Sequence, residues 1–197
     1  MEEVMEKRKT STSAAAYHRQ RQIEECLYQN LQRSSYQSIS VSDICRQVGI
    51  SRKAFYNYYH DKDACLCAIV DGLLRDSLLH TSKTAPDNAD PLEVIVIFLD
   101  FWKEKKSFFD IVMRNNLIHF LLLRNMNYIL NEDRTAMQLI NTPEVKSDAD
   151  ILACYVASQL ALMLQWYFRG FQDPTEEIAR KYLRILHMPL IPKSGVM

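Results

Sequence analysis

The sequence predicts an all-α protein of about nine helices, with an N-terminal helix-turn-helix part followed by a larger helical part. Three observations predict it. Apolar residues recur at three- and four-residue spacing along most of the 197 residues, which is the period of an amphipathic helix. Four glycines and six prolines are too few for the turns of a sheet-rich chain. Helix-start signals, a Ser or Asp N-cap with or without a following proline, precede one apolar stretch after another. No internal repeat or low-complexity tract interrupts the pattern.

Residues 1–12 are expected as a loose arm. Lys7, Arg8 and Lys9 make a basic arm the alternative, set against three acidic neighbours. Ala14 to Arg33 reads as the first helix, with Ile23, Leu27 and Leu31 on one face. Tyr36 and Ile39 anchor the connection to the next element. Ser40 to Lys62 then reads as two short helices around a tight turn. Ser40 and Asp43 have capping-box spacing. Val41, Ile44 and Val48 share a face, and Cys45 is small enough for a second helix to cross closely. Gly49 stands where the chain turns, because glycine tolerates positive φ. Ser51 caps the second short helix. There Phe55 and Tyr59 face inward with Ile50, leaving Arg52, Lys53, Tyr56 and Asn57 outside. Such a face suits a DNA major groove. A plain solvated face is the alternative, but polar aromatics beside Arg and Lys favour a phosphate-facing surface.

Three pieces of this stretch stand at a specific spacing: Ser-Val-x-Asp-Ile from Ser40, Val-Gly-Ile-Ser from Val48, and Phe-Tyr-x-x-Tyr from Phe55 followed by Asp-Lys-Asp. Together they resemble the helix-turn-helix of the TetR (tetracycline-repressor-like) family of bacterial transcriptional regulators. The resemblance covers about a third of the chain. Lys53 and Ala54 depart from the Gly-Thr of many members, and Ser35 from a glycine that usually ends the first helix. The resemblance implies a DNA-binding domain over residues 1–62 and a ligand-binding and dimerisation domain over residues 63–197.

Asp61 to about His80 is the fourth helix. Asp61 caps it, Leu66, Ile69, Val70, Leu73, Leu74 and Leu78 form its apolar stripe, and residues 63–80 connect the two domains. Its positive N-terminal end, beside Lys62, suits a phosphate. Thr81 to Asp90 reads as a polar linker with Pro86. Asp90-Pro91 restarts a helix as N-cap and N1, and the apolar run Leu92 to Trp102 is expected to be buried on most sides. Ser107 to Met113 and Leu117 to about Ile140 read as further helices, broken at Thr142-Pro143. Asp148 to Arg169 is the next long helix. Its stretch Ile151 to Phe168 carries no charge, long enough for a membrane span. Ser158, Gln159 and Gln165 interrupt it, so a helix buried on two sides is expected, with no membrane partner. Gly170 ends it. Asp173-Pro174 starts the last helix by cap and proline, with Ile178, Tyr182, Ile185 and Leu186 on its apolar face, and Pro189 stops it.

Residues 1–62 carry 10 Lys and Arg against 7 Asp and Glu, and residues 63–197 carry 14 against 17. This mild asymmetry agrees with a DNA-facing N-terminal part. Cys26, Cys45 and Cys154 lie in apolar patterns, as buried thiols do in a reducing cytosol. Cys65 and Cys67 lack a second Cys/His pair at zinc spacing. The charged N-terminus has no apolar core of a secretory signal, so a cytoplasmic protein is expected. His18, His60, His80, His119 and His187 are scattered, with no glycine-rich phosphate loop and no HExxH. No enzyme, metal or cofactor is therefore expected.

Arg52 and Lys53 are the candidates for base edges. Tyr56 and Lys62 are candidates for phosphates, and the resemblance supports both positions. Ser40, Ser42 and Ser51 add hydroxyl or amide contacts, with Tyr58 and His60 as further candidates. By resemblance, the last two long helices form a dimer interface through Leu152, Leu160, Tyr167, Ile178, Tyr182 and Ile185. Two-fold symmetry then implies a roughly palindromic operator with half-sites ~34–36 Å apart. The resemblance also implies a pocket for a small, largely apolar effector. Its candidates are Phe98, Trp102, Phe109, Met113, Phe120, Met163 and Trp166, with His119, Tyr155 and Gln159 as orienting polar groups. The function implied is a repressor released from its operator by that effector. A DNA-binding architectural or protein-recruiting factor without an effector is the alternative.

Overall fold

The computed structural model describes residues 2–128 and 149–187, with side chains described for 14–128 and 157–184. Among these residues nine α-helices follow one another with one 3-10 turn and no strand. They are α1 (Glu2–Arg33), α2 (Val41–Val48), α3 (Arg52–Tyr56), α4 (Lys62–Thr84), α5 (Pro91–Glu104), α6 (Lys106–Arg114), α7 (Ile118–Asn127), α8 (Ala149–Phe168) and α9 (Thr175–His187). The all-α class is as expected. Two compact units form, Met1–Leu73 with Ile111–Leu121 and Leu74–Asp110 with Leu122–Met197. Their divisions fall inside α4, α6 and α7.

The helix α1 begins at Glu2, so the expected loose arm is helical from there. Glu, Met, Lys, Arg and Ala, frequent in this stretch, are strong helix formers. The linker is shorter than expected, because α4 runs on to Thr84. The remainder of the helix expected to reach Ile140, the Thr142-Pro143 break and the Pro189 stop lie outside the described residues.

The first unit is built on the stripe read from α1. Ile23, Leu27 and Leu31 are at most 1% exposed, and they join Ile39, Ile44, Cys45, Phe55, Tyr59, Cys65, Leu66, Ile69 and Ile111 in one core. Burying each large side chain contributes roughly 1.5–3 kcal/mol. Val41, Val48 and Ile50 pack on this core half-buried. A polar pair lies within it: the Tyr59 hydroxyl donates to Glu24, whose other oxygen accepts from Arg21 at 3.0 Å. Burial, then this bond, push the Tyr59 hydroxyl pKa up.

The second unit has an aromatic interior. On α5 only Ile95, Leu99 and Trp102 are buried and Val94 is exposed, so the run expected to be buried on most sides buries one face. The reason is geometric: one stripe of α5 meets α9 and α8, and the other apolar side chains of the run remain half-buried or exposed. On α8, Leu160, Met163 and Trp166 are buried while Ala161, Gln165 and Phe168 are exposed. Two left-handed residues end α8. Gly170 was read from the sequence; Phe171 follows it at φ 56°, a conformation costing a side chain roughly 1–2 kcal/mol. The Phe171 N–H donates to the Trp166 carbonyl at 3.0 Å and the Gly170 N–H to that of Tyr167 at 2.8 Å, closing a Schellman turn. The Phe171 ring is held against Trp166 (centroids 4.9 Å) and Phe109 (6.0 Å).

The start of α9 differs from expectation. The Asp173 carboxylate takes Arg169 Nε at 2.8 Å and its carbonyl takes Trp166 Nε1 at 3.1 Å. The Pro174 carbonyl receives the first N–H groups of α9, so proline occupies the N-cap position and Asp173 ties the preceding turn together. No helix among the described residues is long and apolar enough to cross a membrane.

Candidate nucleic-acid interface

The helix-turn-helix is set by short-range bonds. The Asp43 N–H donates to Ser40 Oγ at 3.1 Å, and the Ser40 N–H donates back to Asp43 Oδ2 at 3.3 Å, a complete capping box. These bonds from Ser40 come first among the causes that hold the Asp43 carboxyl below its ordinary pKa. Gly49 ends α2 at φ 72°, ψ 39°, and the Ala54 N–H donates to Ser51 Oγ at 3.1 Å to start α3. With Phe55 fully buried and Tyr59 5% exposed, the opposite face of α3 is turned outward.

That outward face carries Ser51, Arg52, Lys53, Tyr56 and Asn57, all exposed, with Ser40 and Ser42 exposed beside them. Arg52 donates to the Tyr56 hydroxyl at 3.3 Å, with its guanidinium 6.0 Å from the ring centroid. This hydrogen bond is the main reason the Arg52 pKa is raised, so Arg52 remains a cation. Tyr56 packs edge-on against Phe55, which orients the exposed ring. The Ser40 hydroxyl is already engaged, donating to Asp43 Oδ2 at 2.6 Å.

The remaining candidates are placed differently. Tyr58 is half-buried against the core. His60 is exposed and its Nδ1 lies 2.9 Å from Asp61 Oδ2, which leads in lowering the Asp61 pKa. Asp61 caps α4 as read, accepting from the Ala64 N–H at 2.7 Å. Lys62 points inward: its ammonium donates to the carbonyls of Tyr36 (2.6 Å) and Ile39 (2.7 Å) and lies 4.1 Å from the Tyr36 ring centroid. Burial lowers its pKa. In this conformation Lys62 holds the turn before α2.

Sequence reasoning missed the residues that fix this unit across long separations. Gln47 of α2 exchanges two amide bonds with Asn30 of α1, at 3.0 and 3.2 Å. Asn115 Oδ1 accepts from the Tyr36 N–H at 2.6 Å, and Arg114 donates to the Leu31 carbonyl at 2.6 Å. No local spacing signals such pairs.

The effector candidates are not brought together as one group. Trp102, Phe109, Met163 and Trp166 are buried and Phe98 and Gln159 half-buried in the second unit. Met113, His119 and Phe120 belong to the first unit, where Phe120 packs on the core and His119 is exposed. The side chain of Tyr155 lies outside the described residues, as do those of Leu152 and Ile185. Of the dimer candidates, Leu160 (8%), Ile178 (0%) and Tyr182 (2%) are buried within the chain itself and have almost no surface to offer a second copy. Tyr167 is half-buried and donates to Asp110 at 2.7 Å.

Cys26, Cys45, Cys65 and Cys67 are in no disulfide, and burial pushes the pKa values of Cys26, Cys45 and Cys65 up; the Cys154 side chain is outside the described residues. Among the described residues no group of three or more His, Cys, Asp or Glu is placed to hold a metal ion.

A capped helix-turn-helix with a cationic, aromatic outer face is an arrangement suited to a DNA groove. Residues 31–69 match the family described as bacterial regulatory proteins, tetR family. No curated protein matches the chain. Among solved structures, a TetR transcriptional regulator from Streptococcus agalactiae is 16% identical with a TM-score of 0.62, over 90% of this chain and 98% of that one. Thermus thermophilus FadR, a TetR-family repressor in complex with lauroyl-CoA, is 18% identical with a TM-score of 0.49, over 90% and 98%. The family match covers residues 31–69, and the fold is similar to that of the Streptococcus agalactiae regulator.

Proposed function

We propose that the chain is a cytoplasmic, dimeric, sequence-specific DNA-binding regulator whose α3 enters the major groove of a roughly palindromic operator. The observation that carries this reading is the capped α2–turn–α3 unit, which buries Phe55 and Tyr59 and presents Arg52, Lys53 and Tyr56 together. Arg52 and Lys53 are assigned to base edges, Tyr56 and the exposed Ser42 and Ser51 to phosphates. Binding, not catalysis, is the activity. The exposed α8 face of Ala161, Gln165 and Phe168 (60% exposed) supports association with a second copy. We assign the interface to that face in place of the buried Leu160, Ile178 and Tyr182.

A small, largely apolar effector in the second unit, releasing the repressor, completes the reading. It acts by binding more tightly to a conformation whose reading heads no longer match the operator. The mutual packing of Trp102, Phe109, Trp166 and Phe171 favours the second reading, a DNA-binding factor without an effector. Thermal shifts against a library of apolar compounds separate the two, since only the first reading expects a stabilised complex.

The direct test is binding of the purified protein to DNA flanking its own gene across a salt series, with Arg52→Ala alongside. Selective binding is expected, with the variant losing roughly five- to a hundred-fold in affinity and relaxing its preference. Weak, unselective binding governed by salt alone in both proteins would reject sequence reading.

A further inference from the structure

The helix-turn-helix is tied together where the chain enters and leaves it. The chain enters α2 through the 3-10 turn Tyr36–Ser38 and Ile39, and it leaves α3 for α4, whose first residue is Lys62. The Lys62 ammonium donates to the Tyr36 carbonyl at 2.6 Å and to the Ile39 carbonyl at 2.7 Å, across 26 and 23 residues of chain. Ile39 directly precedes Ser40, the cap of α2. The Tyr36 ring centroid lies 4.1 Å from the same nitrogen, and the Tyr36 hydroxyl donates to Asp63, the next residue of α4. Burial, then this bond, push the Tyr36 hydroxyl pKa up, so it stays the donor. Two consecutive residues of α4 therefore hold Tyr36 by its carbonyl, its ring and its hydroxyl.

The chemistry of this tie selects an ammonium. Lysine carries three donors on one compact charge, and two carbonyls and a ring face engage it here. An arginine at the same place brings a wider plane with its donors in a fixed fork, which does not reproduce that set. A methionine keeps most of the stem and loses every donor. Hydrogen bonds from a charged donor are the strong ones, and a tie across a loop restricts every residue within it. To reach a phosphate, Lys62 must give these bonds up, so the two roles exclude each other.

We propose that Lys62 is a positioning residue and not a phosphate contact: it closes residues 36–62 into a loop that seats α2 and α3 against the start of α4, and it keeps this place when DNA is bound. The statement about DNA rests on the DNA-reading role proposed above. The closure itself is read without DNA, so failure of one is distinguishable from failure of the other.

The test compares wild type, Lys62→Met, Lys62→Arg and Tyr36→Phe as full-length proteins. In amide hydrogen exchange, both Lys62 variants are expected to raise exchange over residues 36–48 about three-fold or more, and Tyr36→Phe about two-fold, with residues 20–31 of α1 unchanged. Binding to duplex DNA flanking the protein's own gene is then followed across a salt series. Both Lys62 variants are expected to lose about ten-fold in affinity while keeping the wild-type salt slope, because a lost phosphate contact would lower the slope by about 0.9. A slope lowered by that amount in Lys62→Met would overturn the proposal in favour of a phosphate contact. Wild-type exchange and affinity in Lys62→Arg would overturn it too, since charge alone would then suffice. Unchanged exchange over 36–48 in Lys62→Met removes the closure, and an equal rise over 20–31 reduces it to general destabilisation. If neither Lys62 variant folds, Tyr36→Phe decides: no rise over 36–48 there overturns the closure.

Discussion

Around its short helices the first unit adds many directed polar bonds to its apolar core, where the interior of the second is chiefly a set of ring contacts. Around α2 and α3, Ser40, Asp43, Ser51, Gln47, Lys62, Arg114 and Asn115 each place a named donor or acceptor on a backbone or side-chain partner. In the second unit Trp102 lies among Phe98, Phe101, Phe108 and Phe109, and Trp166 stacks edge-on against Phe171. Hydrogen bonds weaken steeply with distance and angle, so a network of them admits one arrangement. Aromatic pairs are favourable over a range of separations and tilts. The polar bonds of the first unit suit a reading head that presents Arg52 and Tyr56 in one geometry.

The largest expected effect comes from a change that ignores the contrast. Phe55→Ala empties the centre of the first core and costs about 3–5 kcal/mol, seen as a drop in the denaturation midpoint. Hydrogen-bond deletions sharpen the comparison. Asn115→Leu leaves the Tyr36 N–H without its partner and costs about 1–3 kcal/mol, whereas Tyr182→Phe removes one hydroxyl bond in the second unit and costs about 0.5–1.5 kcal/mol. Equal losses in the two variants would break the distinction. Ser40→Ala removes the α2 cap and costs about 0.5–2 kcal/mol, measurable by urea unfolding.

The smallest effect is with pH. The folded-state pKa of Asp43 is depressed, chiefly by its bonds with Ser40. Its contribution is therefore present above the ordinary carboxylate value and is lost as pH falls through the depressed one. Melting temperature against pH should fall more gently over that acid window in Ser40→Ala than in wild type. Parallel curves would mean that the cap does not carry the dependence.

Much of the first unit was legible because its determinants are local. The caps at Ser40, Ser51 and Asp61 and the left-handed Gly49 each act within four residues of themselves, and the α1 stripe follows the helical period. The inward turn of Lys62 was not legible. A lysine at a helix start suits a phosphate by charge alone, and only the fold shows two carbonyls within its reach. The aromatic residues of the C-terminal half were legible as buried, but helical spacing does not say in which core. Phe120 therefore joined the first unit and Trp102 the second. Ile178 and Tyr182 are buried for a related reason: their apolar face on α9 is met by α5 of the same chain.

The sequence by itself determined the helices, their caps and the outward set Arg52, Lys53 and Tyr56, because these follow from periodicity and from bonds between near neighbours. Only the tertiary structure decided that Asn115 and Arg114, 79 and 83 residues from their partners, seat the turn before α2, and which faces of α8 and α9 stay open. Such pairings are made by the packing of whole helices, and nothing in the local pattern of either partner encodes the other.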